Sequence, residues 1–170
     1  PLYYPEFPTA DGFTNKQEVL EFIEELVTAT GEWAATSVAG RARRLDSEGA
    51  GEVKDGRTIP GEALTEFYNE VQELALTGVA AEPKFGGMGA PVITGLLSFS
   101  QVNRACLSSA TQFGFYTSMI DMIERFCTEE DQARLIPKII AGELSGSMCL
   151  TEPGAGSDVG SVKTSAVLQD

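Results

Sequence analysis

The feature that most limits what this chain can become is a succession of apolar stripes at helical spacing. Val19, Leu20, Phe22, Ile23, Leu26 and Val27 fall on one face of a helix, and Leu64, Phe67, Tyr68, Val71, Leu74 and Ala75 define another. Val92, Ile93, Leu96, Leu97, Phe99, Val102 and Leu107 populate a mostly apolar stretch from Pro91 to Ala110. Apolar residues surround most of that stretch, so it is expected to be buried on more than one side, as the central helix of a bundle. Thr111 to Phe126 gives a further helix through Phe113, Tyr116, Met119, Ile120 and Ile123. Ala133, Leu135, Ile136, Ile139 and Ile140 give a last one, ending at Gly142. Five or six helices of this kind predict a mainly α fold, a helical bundle.

Punctuation between the stripes supports the same reading. Thr14 and Gln17 have the spacing of a capping box. Gly31 is expected to end or kink the first helix, with Trp33, Ala34, Ser37 and Val38 continuing its period. Pro60 sits at a helix start and Gly78 at a helix end. Thr128 followed by Glu129, Glu130 and Asp131 is an N-cap with an acidic first turn. Pro137 predicts a kink or restart. Residues 1–13, rich in proline and aromatics, read as an extended arm, and the Asp/Glu/Gly-rich stretch from Leu45 to Pro60 reads as a loop. Arg41, Arg43 and Arg44 would suit a phosphate, or a helix end whose cations meet its own carbonyl dipoles; the second is favoured.

Composition narrows the partners. With 25 acidic and 12 basic residues the formal charge is −13 over 170 residues, which argues against nucleic acid and anionic membrane surfaces. No apolar run approaches the ~20 residues of a spanning helix, and the first residues lack the basic and apolar regions of a secretion signal. Cys106, Cys127 and Cys149 are odd in number and far apart, and the chain has no histidine. A zinc site and a disulfide framework are therefore not expected, no metal is called for, and a reducing compartment fits.

One stretch departs from the helical pattern: Ser147 to Asp158. Five residues of strand character run into a bend containing Pro153, Gly154 and Gly156. Glycine permits positive φ and close approach of another molecule, and successive N–H groups in such a turn bind phosphate oxygens. Val162 to Leu168 alternates weakly, as a second strand does. Two strands make no independent sheet. The expected organisation is therefore a helical domain over 14–145 and the start of a truncated β-domain over 146–170.

Cys149-Leu-Thr-Glu-Pro-Gly-Ala-Gly-Ser-Asp158 resembles the first signature of the flavin-dependent acyl-CoA dehydrogenases. Glu82 to Gly89 resembles that family's acidic-Pro-x-aromatic-Gly-Gly segment, and Thr128 to Glu143 is also family-like, although Cys127 stands where a glycine is common. The resemblance covers most of the chain, and Ser147 to Pro153 looks more like the large, N-terminally extended branch. It implies an N-terminal helical bundle, FAD, an acyl-CoA thioester as substrate and α,β-dehydrogenation, with an electron acceptor such as an electron-transfer flavoprotein. By the same resemblance Thr151 contacts the flavin ring, Met148 and Leu150 flank it, and Gly156 and Ser157 lie near the pyrophosphate. Ser157 also reaches the acyl-CoA. Many members carry an aromatic residue where Met148 stands. The family's catalytic glutamate belongs to a C-terminal helical domain, so no catalytic residue is expected in this chain, and Glu152 is expected to hold the turn.

Thr111, Gly114 and Ser118 share one helix face and, by family position, line the acyl end of the pocket. Small residues there would also let two helices approach closely, and that reading is favoured. If they leave room for a long acyl group, Gly114→Phe should remove activity on long substrates and spare short ones. The family forms homo-oligomers, so an apolar face is expected to be open, for another copy or for the missing C-terminal part. The resemblance suits the bacterial cytoplasm or the mitochondrial matrix. Rival readings are an acyl-CoA oxidase or other flavin oxidoreductase on the same fold, and a non-catalytic helical interaction module.

Overall fold

The computed structural model describes residues 9, 12–49 and 51–168. The arm over 1–13 lies outside the described residues except for Thr9, Gly12 and Phe13, and the Phe13 ring packs 5.3 Å from that of Phe22. Helix α1 (Lys16–Trp33) begins one residue later than the sequence suggested. Asn15, not Thr14, is the N-cap, and its side chain accepts from the N–H groups of Gln17 and Glu18 at 2.9 and 3.1 Å. The carboxylate of Glu18 closes the box on Thr14, accepting from its N–H at 2.6 Å and its hydroxyl at 2.7 Å. An ionised acceptor near the positive end of the helix outcompetes the neutral amide of Gln17.

Gly31 does not end the helix. A Cβ there would lie 3.1 Å from Oε1 of Gln101, so the glycine admits a neighbouring helix. The chain runs on through a π-helical turn, Ala34–Val38, into α2 (Ala39–Glu48). The wider turn offsets the angular drift that a row spaced by four residues has in a regular helix. Trp33, Ser37 and Arg41 therefore all reach Glu70. The indole N–H donates at 2.6 Å, the serine hydroxyl at 2.8 Å, and the guanidinium forms a short ion pair with it. Arg41, only 8% exposed, also pairs with Glu66 at 3.0 Å, and Arg44 pairs with Glu48, Glu62 and Glu66. Arg41 and Arg44 of the basic run thus face the acidic row of the next helix and not their own carbonyls. The loop reading of 45–60 also needs correction. After α2 comes a hairpin, β1 (Glu52–Lys54) against β2 (Arg57–Ile59), with Val53 opposite Thr58. Asp55 and Gly56 turn it at φ 50° and 74°, as a two-residue primed turn requires.

Helix α3 (Glu62–Glu73) has its Ala63 N–H capped by the Glu48 carboxylate at 2.7 Å. It stops at Ala75, which takes a left-handed φ of 54°. Gly78 packs elsewhere: a Cβ there would be 3.0 Å from Ile140. The apolar stretch from Pro91 onward breaks at Cys106, which is extended at φ −159°, so α4 spans Val92–Ala105 and α5 spans Leu107–Phe126. Cys106 caps both helices, donating to the Val102 carbonyl and accepting from Ala110, so the break leaves neither of its backbone groups unpaired. Within the described chain α4 is not buried all round. Thr94, Ser98 and Val102 face inward, while Val92, Ile93, Leu96 and Leu97 are 43–56% exposed. Helix α6 (Glu129–Ile140) is capped by Thr128, whose hydroxyl accepts from Asp131, and it runs through Pro137 without a restart.

Two apolar clusters hold the bundle. One gathers Val38, Phe67, Val71, Val79, Val102 and Phe113, and the other Tyr116, Ile120, Ile123, Ile136 and Ile139. The strands expected at 147–151 and 162–168 are not paired. Among the described residues the hairpin is the only sheet, and this segment shows just one isolated bridge, Glu152 to Ala155. Extended backbone forms a ladder only with a partner, and neither segment lies beside one here.

Candidate functional site

The segment leaving α6 crosses α5 at Gly146, where a Cβ would come within 2.5 Å of the Met119 side chain. It then enters the bend that contains the candidate cofactor residues. Glu152 and Ala155 exchange N–H to carbonyl bonds of 2.8 and 3.2 Å, closing a tight turn. The Glu152 carboxylate accepts from the N–H of Lys163 at 3.0 Å, from the N–H of Thr164 at 2.7 Å and from the Thr164 hydroxyl. These bonds, the Thr164 hydroxyl first, hold its pKa below the ordinary glutamate value. Asp158 accepts from the Ser161 hydroxyl at 2.6 Å. Both carboxylates are thus engaged as acceptors for their own chain, as expected for Glu152.

The other polar groups of the bend are unspent. Thr151 and Ser157 are exposed, and among the described residues neither hydroxyl has a hydrogen-bond partner. They do not bond their own backbone, which is the usual alternative for such residues in turns. Gly154 and Gly156 do not adopt positive φ, contrary to the expectation for the bend. A Cβ at Gly154 would meet nothing within 4 Å, and one at Gly156 only Thr151 Cγ2 at 3.9 Å. Neither glycine is needed by the conformation or packing of this chain. What remains is an exposed stretch whose two hydroxyls and two glycines are not used by the described chain. Met148 and Leu150, 51% and 45% exposed, precede it as apolar flanks.

The second set of residues lies on α5. Gly114 and Ser118 line a cleft of about 160 Å³ between α4 and α5, together with Val92, Gly95, Leu96 and Phe99. A wider cleft of about 300 Å³ shares Val92, Leu96, Thr117 and Ser118 with it and continues to Asp121, Glu124 and Arg125. Thr111 lines neither cleft, and its hydroxyl donates to the Leu107 carbonyl at 3.0 Å. Ser118 likewise donates to the Gly114 carbonyl at 2.9 Å. The space above Gly114 is taken by the chain's own Phe99, whose Cε2 would lie 2.9 Å from a Cβ at that position.

Sequence reasoning read Phe99 as core and overlooked Gly95, a glycine inside an apolar helix that here lines the cleft. It also overlooked Glu124, whose pKa is raised by burial and, after the lowering effect of a bond from the Glu82 N–H, by the charges of Glu82 and Asp121. Among the described residues no cluster of Cys, Asp or Glu could hold a metal ion, and the three cysteines are free. No described helix is long and apolar enough to cross a membrane.

A helical bundle that ends in this bend defines a class. Residues 21–143 match the model of the acyl-CoA dehydrogenase N-terminal domain, and the chain belongs to the acyl-CoA dehydrogenase family. It is 32% identical over 103 residues to acryloyl-CoA reductase (NADH) of Anaerotignum propionicum, a match covering 61% of this chain and 26% of that protein. It is 27% identical over 166 residues to 3-methylmercaptopropionyl-CoA dehydrogenase of Ruegeria pomeroyi, covering 97% of this chain and 28% of that protein. Among solved structures, butyryl-CoA dehydrogenase from Megasphaera elsdenii superimposes with a TM-score of 0.64 at 22% identity. That likeness covers 85% of this chain and 35% of the other and speaks for the fold. The chain thus spans little more than a quarter of the length of these two sequence relatives, 26% and 28%.

Proposed function

We propose that this chain is the N-terminal helical domain (14–145) and the start of the β-domain (146–170) of an FAD-dependent acyl-CoA dehydrogenase. The observation that carries the reading is the bend itself. Inside a family signature, Thr151 and Ser157 keep unpartnered hydroxyls, and two glycines stand where the fold does not require them. FAD, when bound, supplies the acceptor for the β-hydrogen of the acyl thioester. Thr151 donates toward the ring, Met148 and Leu150 cover its apolar edge, and Gly156 and Ser157 hold the pyrophosphate through backbone and hydroxyl donors. Ser157 also reaches the acyl-CoA, and Gly114 and Ser118, with Thr111 one turn away, belong to the wall beside the acyl chain.

The α-proton is taken by a glutamate outside this chain. Glu152 and Asp158 keep the bend in shape and take no part in proton transfer. An electron-transfer flavoprotein is the natural acceptor for a dehydrogenase. The exposed aliphatic face of α4 is covered in the whole protein by its remaining domains or by another copy. Three free cysteines suit a reducing compartment, the bacterial cytoplasm or the mitochondrial matrix.

The test uses the full-length protein. It should purify with bound FAD, reduce that FAD when given a saturated acyl-CoA, and react slowly with O2. Fast oxidation by O2 would favour an acyl-CoA oxidase, and a flavin-free protein an interaction module. Thr151→Ala with Ser157→Ala removes two donors and should weaken FAD about a hundredfold, read by flavin release on dilution. Unchanged affinity would refute the assignment of the bend.

A further inference from the structure

The hairpin of β1 and β2 stands clear of the bundle. Every residue from Gly51 to Pro60 is exposed. Two strands alone are marginal in water, and an uncovered strand edge is a template for another strand. Lys54 and Arg57 flank the two-residue turn, so they form the hydrogen-bonded pair, and Val53 with Thr58 forms the next, non-hydrogen-bonded pair. The N–H and carbonyl of Val53 therefore point away from β2, along the free edge, and meet no partner among the described residues. The Val53 side chain is left 76% exposed. Lys54 lies opposite Arg57, a like-charge pairing that weakens a hairpin, and neither has an ion-pair partner among the described residues.

We infer that β1 pairs antiparallel with β1 of a second copy of this protein, about a two-fold axis at Val53, to make a four-stranded sheet. The strand is its own complement. Laid antiparallel on itself, Glu52-Val53-Lys54 sets Glu52 opposite the partner's Lys54, Val53 opposite the partner's Val53, and Lys54 opposite the partner's Glu52. The two valines exchange the N–H to carbonyl bonds that their outward groups lack, and their side chains cover each other. The glutamate–lysine pairs fall at non-hydrogen-bonded positions, where side chains come closest, and draw Lys54 away from Arg57. The strand β2 has no such match, since Arg57-Thr58-Ile59 laid on itself sets a guanidinium against an isoleucine. Charge selects the same place. The chain carries −13 and repels its own copy over most of its surface, but residues 52–59 hold two acidic and two basic residues and are neutral. Three residues a side fall well below the roughly 1,000 Å² of a stable interface standing alone. The pairing is therefore a second contact between copies that a larger face also holds, where effective concentration compensates for area. Neither flavin nor acyl-CoA takes part in it.

The experiment uses the full-length protein and two readouts, sedimentation velocity over a concentration series and hydrogen exchange of the peptide covering 51–59. The unaltered protein should associate, with exchange over 51–59 slowing as concentration rises. Val53→Pro removes the outward N–H and leaves the bonds to β2 intact, and it should raise the dissociation constant between copies about tenfold. Glu52→Lys and Lys54→Glu each turn two attractive pairs into two repulsive ones by symmetry, and each should weaken association about tenfold. Lys54→Glu also sets a glutamate opposite Arg57, so it supports the hairpin while breaking the association, which a merely structural role would not do. Glu52→Lys combined with Lys54→Glu restores the complementary pairs and should regain the original constant. A full-length protein that stays monomeric at every concentration overturns the pairing. So do single variants that leave association unchanged, or a double variant no better than the singles. Slow exchange over 51–59 that ignores concentration and persists in Lys54→Glu would mean that the rest of the same chain covers β1, and overturns it too. None of these outcomes touches the flavin or acyl-CoA reading.

Discussion

Two glycine-rich loops, residues 82–89 and 151–158, use glycine for opposite reasons. Residues 82–89 are folded onto their own protein. Met88, Gly89 and Ala90 donate at 2.9 Å to the carbonyls of Gly78, Ala81 and Val79. Gly86 and Gly89 take φ of 90° and 63°, and a Cβ at Gly87 would lie 2.2 Å from the Ala81 carbonyl oxygen. Residues 151–158 have almost none of this. Apart from the exchange between Glu152 and Ala155 and the ties made by Glu152 and Asp158, their donors have no partner among the described residues, and their glycines touch little. A glycine demanded by its own fold carries no news of a ligand. One that the fold does not need points outside the chain.

The sharpest way to break this contrast is to add one methyl group to each loop. Gly87→Ala forces a side chain into backbone that cannot move aside. It should destabilise the full-length protein by about 3 kcal/mol or more, measured by urea denaturation. A loss within experimental error would mean that the first loop is as free as the second. Gly156→Ala should do the reverse. Stability without flavin should stay within about 0.5 kcal/mol of the original, while FAD affinity falls by about tenfold, read by fluorescence titration. A stability loss like that of Gly87→Ala, with flavin binding intact, would make Gly156 structural.

The smallest expected effect concerns what holds the open loop in shape. The pKa of Glu152 is lowered in the folded chain, so its stabilising contribution is complete above the ordinary value of 4.5 and is lost as pH falls through its lower folded value. The amide resonances of Lys163 and Thr164 should therefore move together below pH 4.5. In Glu152→Gln that titration should vanish, while the helical signal stays unchanged. If the amides still titrate in the variant, another group holds the bend.

The same contrast explains what could be read in advance. Periodicity located the helices, because an apolar stripe is written in consecutive residues. It located the bend, because Pro and Gly punctuate locally. The shift of the first cap to Asn15 needed the competition between Gln17 and Glu18, which differ in charge rather than spacing. The hairpin at Asp55-Gly56 was written in the sequence as a primed-turn dipeptide, but its strands are short and exposed and carry no apolar alternation. The break at Cys106 has no glycine or proline to announce it. The pairing of Arg41 with Glu66 and Glu70, and the seating of Phe99 on Gly114, are encounters between distant residues that no single stripe encodes.

The π-helical turn between Trp33 and α2 also acts as a gear setting. Each residue of an α-helix advances the screw by about 100°. Deleting any single residue from Ala34 to Val38 would leave a plausible continuous helix and yet point Arg41 and Arg44 about a third of a revolution away from Glu66 and Glu70. The length of that short run, more than the identity of its side chains, decides whether the second half of the long helix can mesh with its neighbour.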